Sequence, residues 1–271
     1  MGKFDGILLC TDLDGTLLTE DKRVSDENKR AIEYFKSEGG YFTFITGRVT
    51  YGARLMLEFV QPNIPIVCFN GAGIYDFEKD ELIWGRYLDQ NAVKVLEYIE
   101  SRMDTGIVVC VDDGVRFCKI NKWVDKYFMD EHPPHEKISY RDIKEPWKKV
   151  LLMVDSADIP TIRKIIAESE FADTYDYTQS SPNYYEILPK GATKGTGLLR
   201  LAELTGIERN KIIAIGDNEN DISMFEVAKM GIAVSNAEEN VKAAADLITV
   251  SNEQHAIAQI VSYLDNDKII I

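Results

Sequence analysis

Ile7-Leu8-Leu9-Cys10-Thr11-Asp12-Leu13-Asp14-Gly15-Thr16-Leu17 is an apolar run that passes directly into two carboxylates and a glycine. A short run of this kind, closed by a turn residue, reads as a buried strand. Continued strand alternation would put Asp12 and Asp14 on the same side, at the carboxyl end of a parallel strand, where α/β proteins bind ligands. Two close anions repel, so the arrangement asks for a cation between or beside them. Mg²⁺ suits hard oxygen ligands and commonly bridges carboxylates to phosphate. A turn that only caps a helix would account for Asp14-Gly15 but would leave Asp12, at the end of a buried strand, unexplained.

Outward from this stretch the chain alternates β-rich runs at 41–45 and 66–69 with amphipathic segments at 25–37 and 50–59. Ser25 is placed to cap the first helix, and Gly39-Gly40 to close it. Ile74-Tyr75 and Leu82-Ile83-Trp84 flank a polar segment, which predicts a hairpin after Gly73. The rhythm returns with helices at 194–204, 221–228, 240–245 and 253–264, and strands at 212–215, 231–234 and 247–250. Between the two halves the texture changes, with Trp123, Tyr127, Phe128, Trp147, Tyr175, Tyr177, Tyr184 and Tyr185, and Pro133-Pro134 breaking the run. The expectation is an α/β protein: a Rossmann-like, doubly wound parallel-sheet core from residues 1–84 and 189–271. A large inserted α/β domain over 85–188 would hold strands at 107–111, 115–120 and 150–154.

Three further segments place chemistry at expected strand ends. Thr46-Gly47-Arg48 offers a hydroxyl, a flexible amide and a guanidinium, donors that can hold phosphate oxygens. Asn70-Gly71-Ala72 follows the next strand, where a plain glycine turn is an equal reading. Gly216-Asp217-Asn218-Glu219-Asn220-Asp221 repeats the strand, glycine and acid pattern of the opening stretch, although Glu219 reads as mere helix capping. Lys194 stands at the start of a helix, where the macrodipole disfavours a cation. Lys190 competes with it, but the Lys194-Gly195-Thr196-Gly197 context and the helix that follows favour Lys194.

In this order, the segments resemble the motifs of the haloacid dehalogenase superfamily of phosphohydrolases, Cof-type branch, whose first motif, DxDGT, matches Asp12 to Thr16. The resemblance implies a catalytic core covered by a mobile cap, here 85–188, and chemistry through an aspartyl-phosphate. It makes Asp12 the nucleophile and Asp14 the general acid and then the general base. It makes Thr46 and Gly47 phosphate contacts, Arg48 a substrate-orienting residue and Asn70 a residue at the site's edge. Lys194 would offset the charge of Asp12 and the phosphoryl group, and Asn220 would contact phosphate. The metal set would be Asp12, Asp14 and Asp217, with Asp221 acting at one remove, and the cofactor Mg²⁺.

The composition limits the partners. The charge is 31 − 45 = −14 over 271 residues, which disfavours nucleic acid and anionic membranes and requires a local cationic site for any phosphate. Cys10, Cys68, Cys110 and Cys118 lack CxxC spacing and read as thiols of a reducing compartment. No stretch approaches the ~18 apolar residues of a membrane span, so a cytoplasmic monomer or small homo-oligomer is expected. His132 and His135, beside Pro133-Pro134, read as loop residues, and Asp112-Asp113-Gly114 as a hairpin turn. Tyr184, Tyr185 and Glu186 could face a substrate, or Tyr185 could be part of the inserted domain's core. The expected activity is hydrolysis of a small phosphorylated metabolite, a sugar phosphate foremost. The alternatives are a phosphosugar mutase and a non-catalytic phospho-Asp or metal-dependent regulatory module, against which an intact Asp14 speaks.

Overall fold

A computed structural model of the chain describes residues 2–271. The first half of the core runs β1 (Leu8–Thr11), α1 (Asp26–Ser37), β2 (Tyr41–Phe44), α2 (Thr50–Leu55), β3 (Ile66–Cys68), β4 (Gly73–Asp76) and β5 (Glu81–Gly85). Then follow α3 (Ala92–Glu100), β6 (Gly106–Val111), β7 (Gly114–Lys119), α4 (Lys122–Glu131), β8 (His135–Lys137), β9 (Lys149–Met153), α5 (Ile159–Ala167), β10 (Asp176–Ser181) and β11 (Tyr184–Leu188). The chain closes with α6 (Lys194–Thr205), β12 (Ile212–Gly216), α7 (Ile222–Val227), β13 (Met230–Ala233), α8 (Glu239–Ala244), β14 (Leu247–Ile248) and α9 (Ala256–Asp265). No helix among the described residues is long and apolar enough to cross a membrane.

The central sheet has the order β14-β13-β12-β1-β2, with every pairing parallel, and a parallel bridge from Ile45 to Val67 carries it on to β3. All four residues of β1 are buried, as expected of a strand covered by helices on both faces. From β1 the chain winds outward through β2 to β3, and on its return it pairs β12 on the other side of β1. The strand order therefore reverses between β1 and β12, and the crevice at their carboxyl ends lies between Asp12 and Asp217.

A second sheet, in the order β10-β11-β9-β6-β7-β8, is antiparallel except at β7 and β8. Its two faces separate by strand alternation. Ile107, Val109 and Val111 pack with Val95, Ile99, Ile162 and Ile166 from α3 and α5 into a hydrophobic cluster of their own. Val108 and Cys110 look the other way and join the cluster that runs through the core. One face thus carries its own helices and the other is turned to the central sheet. The hairpin of β4 and β5 forms after Gly73, and Asp112-Asp113 turns between β6 and β7.

Some sequence expectations shift. The helix expected over 50–59 tightens to a 3₁₀ turn at Met56–Glu58. His132 ends α4 with a left-handed backbone, and His135 opens β8 and stacks on Phe117. Cys10, Cys68 and Cys110 are buried, Cys118 is half-buried, and all four are free.

Candidate active site

Main-chain ladders bring the site's segments together. The Asp12 N–H donates to the Ile215 carbonyl (2.9 Å), extending the pairing of β1 with β12 by one residue. The N–H of Asn70 donates to the Thr46 carbonyl (3.1 Å) and that of Phe69 to the Arg48 carbonyl (3.0 Å), tying the loops after β2 and β3. Gly47 has to be small: a Cβ on it would lie 2.9 Å from Asn70 Oδ1. Gly15 adopts φ +78°, and a Cβ there would strike the Asp217 carboxylate, so this turn can close against β12 only without a side chain.

Lys194 Nζ lies 2.9 Å from Asp12 and 2.6 Å from Asp221, and is almost wholly buried. A capping box between Thr193 and Thr196 fixes this first turn of α6. Burial disfavours the ammonium, yet Asp12 and Asp221 outweigh it and hold its pKa above the ordinary lysine value. Lys190, the competing lysine, is exposed and pairs with Asp176 instead.

Carboxylate oxygens of Asp12, Asp217 and Asp221 lie within 4.8 Å of one another. Asp221 is already engaged: one oxygen meets Lys194, and the other accepts the N–H groups of Asp217 and Asn218 (both 3.0 Å). Asp217 accepts the Thr16 hydroxyl (2.6 Å) and keeps its second oxygen free of side-chain partners. Burial, with repulsion from Asp221, lifts Asp217 to about 7. Burial raises Asp12 well above the carboxylate range against the pull of Lys194. Three carboxylates around a single ammonium suit a divalent cation, which Asp12, Asp217 and Asp221 could hold, and Asp221 also supports Lys194 and the Asp217 loop.

That geometry makes a stability prediction. Because the folded-state pKa of Asp217 exceeds its unfolded value, its contribution is fully present at low pH and is lost as pH rises through about 7. Asp217→Asn is therefore expected to stabilise chelated protein at pH 8 by an amount on the order of 1–3 kcal/mol, read as a raised melting temperature, and to change little at pH 4. Added Mg²⁺ should stabilise the wild type and not the variant. Superimposable melts of the two proteins at both pH values, with and without metal, would refute the assignment.

Asp14 does not join this cluster. β1 stops at Thr11, and the Leu13 carbonyl accepts the N–H groups of Thr16, Leu17 and Leu18, so the chain turns and strand alternation no longer applies. The Asp14 carboxylate, expected on the same side as Asp12 and among the metal ligands, thus lies outside the group formed by Asp12, Asp217 and Asp221. Its carboxylate is gripped by Arg48 through Nε and Nη2 (both 2.8 Å) and by Lys22 (2.7 Å). Burial pushes Asp14 up, but Arg48 and Lys22 hold it well below the usual carboxylate range. Arg48, expected to orient substrate, is thus occupied with Asp14 and approaches Glu131 of α4 (3.6 Å). Thr46 is buried, and its hydroxyl accepts the Arg48 N–H (3.1 Å).

Asn70, at φ +54°, is buried at the centre of a polar chain. Its Nδ2 donates to Glu186 (2.7 Å), and its Oδ1 accepts Asn220 Nδ2 (3.0 Å). Glu186 is paired with Lys149 (2.8 Å), whose Nζ also donates to the Gly47 carbonyl (2.7 Å). Both partners are almost wholly buried, at 3% and 2% exposure. Glu186 therefore faces the site, whereas its neighbour Tyr185 sits in the α3 and α5 cluster, stacked on Tyr177. Lys22, Glu131 and Lys149 escaped sequence reasoning. For Lys149 a signal existed: a lysine entering the apolar run Val150-Leu151-Leu152-Met153 needs a buried partner. A cavity of about 420 Å³ adjoins these groups, lined by Asn70, Lys194 and Asn220 on one side and by Tyr175, Tyr177 and Thr178 on the other.

Residues 9–261 match the family model for haloacid dehalogenase-like hydrolases. The chain belongs to this family. It is similar to a 5-amino-6-(5-phospho-D-ribitylamino)uracil phosphatase of Bacillus subtilis, 31% identical over 93% of this chain and 95% of the relative. It is also similar to a pyridoxal phosphate phosphatase of Escherichia coli, 25% identical over 94% and 97%. A haloacid dehalogenase-like hydrolase from Bacteroides thetaiotaomicron superimposes with a TM-score of 0.82 at 28% identity, over 95% of this chain and 99% of that one. As a haloacid dehalogenase-like hydrolase of the Cof type, the protein is a phosphomonoesterase, and its family generally depends on a metal ion.

Proposed function

We propose that the protein is a Mg²⁺-dependent phosphatase of a small phosphorylated metabolite, foremost a sugar phosphate, acting through an aspartyl-phosphate on Asp12. One observation carries this reading: a buried carboxylate at the strand switch point, neutralised on one side by Lys194 and facing Asp217 on the other. Bound Mg²⁺ would neutralise phosphoryl charge and keep Asp12 ionised.

An Asp12 oxygen attacks phosphorus, the ester P–O bond breaks, and the electron pair passes to the leaving oxygen, which takes a proton from Asp14. Water then attacks the phosphoenzyme, gives a proton to Asp14 and releases Asp12 with free phosphate. Lys194 holds Asp12 in place and offsets charge in both steps. Asp14 can carry a proton only once Arg48 relaxes its grip, and an arriving phosphoryl dianion competes for that guanidinium. Residues 85–188 form the cap in this reading; they cover the site and exclude bulk water.

The test is a screen of phosphorylated metabolites, with p-nitrophenyl phosphate as a generic substrate, in Mg²⁺ and after exhaustive chelation. Activity should fall at least a hundredfold on chelation, return with Mg²⁺, and release free inorganic phosphate. Full turnover in chelator would refute the metal dependence. Phosphate recovered on a second sugar hydroxyl instead of in solution would make the enzyme a mutase.

A further inference from the structure

Gly47 has no side chain to fix the direction of its peptide groups, so whatever aligns its N–H with an arriving phosphate must come from elsewhere. The Gly47 carbonyl accepts Lys149 Nζ (2.7 Å), and the other end of that peptide, the Arg48 N–H, donates to Thr46 Oγ1 (3.1 Å). In the preceding peptide the Thr46 carbonyl accepts the Asn70 N–H (3.1 Å), and Asn70 Nδ2 donates in turn to Glu186 (2.7 Å). Both peptides around Gly47 are thus tied to one ion pair, carried by β9 and β11 of the second sheet. Of their polar groups, only the Gly47 N–H has no protein partner among the described residues, and Gly47 is half-buried, not closed off.

An ammonium has three hydrogens to give, and those of Lys149 are all taken: two by the Glu186 oxygens (2.9 and 2.8 Å) and one by the Gly47 carbonyl. Lys149 therefore has no donor left for a substrate and acts only through what it holds. A buried ion pair adds little stability over apolar packing, because both ions must leave water. This one directs its remaining donor onto the main chain of a loop at a strand end, beside Thr46 and Arg48. We propose that Lys149, paired with Glu186, is a positioning residue of the phosphate site: it pins the Gly47 peptide so that the Gly47 N–H is presented to the phosphoryl group. The contact links the second sheet to the phosphate loop, so phosphate binding and the seating of that sheet favour each other. The inference rests on the phosphatase reading above.

The experiment uses the double variant Lys149→Met/Glu186→Gln, which removes both charges together and leaves neither buried alone, while the new amide at 186 still offers Asn70 an acceptor. Without ligand, hydrogen exchange at the Arg48 and Asn70 amides should quicken at least tenfold, while exchange in β1 and β12 stays unchanged. The dissociation constant of inorganic phosphate, measured by calorimetry in Mg²⁺, should rise at least tenfold. KM for p-nitrophenyl phosphate and for ribose 5-phosphate should rise by factors within threefold of each other, with Mg²⁺ half-saturation unchanged. If the double variant does not fold, Lys149→Gln/Glu186→Gln, whose amide at 149 stops one bond short of the Gly47 carbonyl, supplies the same comparison. Unchanged exchange overturns the proposal. So does quickened exchange with phosphate bound as tightly as in the wild type, which would make the pair a structural tie alone. A loss confined to ribose 5-phosphate also overturns it and would assign the pair to leaving-group recognition. Wild-type enzyme inert on p-nitrophenyl phosphate in Mg²⁺ would count against the phosphatase reading itself, whereas the exchange and phosphate-binding measurements need no turnover and decide this inference separately.

Discussion

Asp12→Asn is expected to lower kcat at least roughly ten-thousand-fold on every phosphomonoester, because an amide cannot form the acyl phosphate. The loss should be chemical and not structural. Lys194 keeps its shorter contact with Asp221, and removing one of three clustered carboxylates relieves repulsion in the metal-free protein. The melting temperature in chelator should therefore equal or exceed that of the wild type. Rapid-quench labelling should find no protein-bound phosphate in the variant. Turnover within tenfold of wild type, in a preparation with an unaltered melt, would remove Asp12 from the nucleophile's role.

Asp14→Asn separates the two chemical steps. The amide can neither protonate the leaving oxygen nor deprotonate water, losses worth roughly 10²–10⁴-fold each. A sugar alkoxide leaves poorly without a proton, so the first step should stall on a sugar phosphate. An aryl phosphate with an acidic phenol needs less help, but its phosphoenzyme still lacks a base for hydrolysis. The variant should then release a burst of phenol near one equivalent of enzyme and accumulate phosphate on Asp12. The structure adds a control: Arg48, no longer holding a carboxylate at residue 14, should be freer to take phosphate, so binding of inorganic phosphate should not weaken. A folded variant that turns over slowly with neither burst nor bound phosphate would take the acid and base roles away from Asp14.

Much of the architecture was legible along the chain. β1, β2, β3 and β12 were each readable as apolar runs ending in chemistry-bearing residues, and the hairpins after Gly73 and at Asp112-Asp113 were readable from turn residues. The strands β6, β7 and β9 lie within one residue of the expected starts. The choice of Lys194 over Lys190 followed from local context and agrees with their burial. Strand alternation has no force past Thr11, where the chain turns, so the direction of the Asp14 side chain was not legible from it.

By itself, the sequence determined what depends on near neighbours: the strand periodicity, the helix cap at Ser25, and the carboxylates at strand ends. Tertiary structure alone decided which charges meet. Asp14 belongs to Arg48 and Lys22, and Glu186 to Lys149 and, across 116 residues of chain, to Asn70. Electrostatic and hydrogen-bond energies act over a few ångströms in space, whatever the separation along the chain, so no local pattern encodes these partners. They arise where parallel crossovers align the ends of β1, β2, β3 and β12 and the second sheet turns Glu186, not Tyr185, toward them.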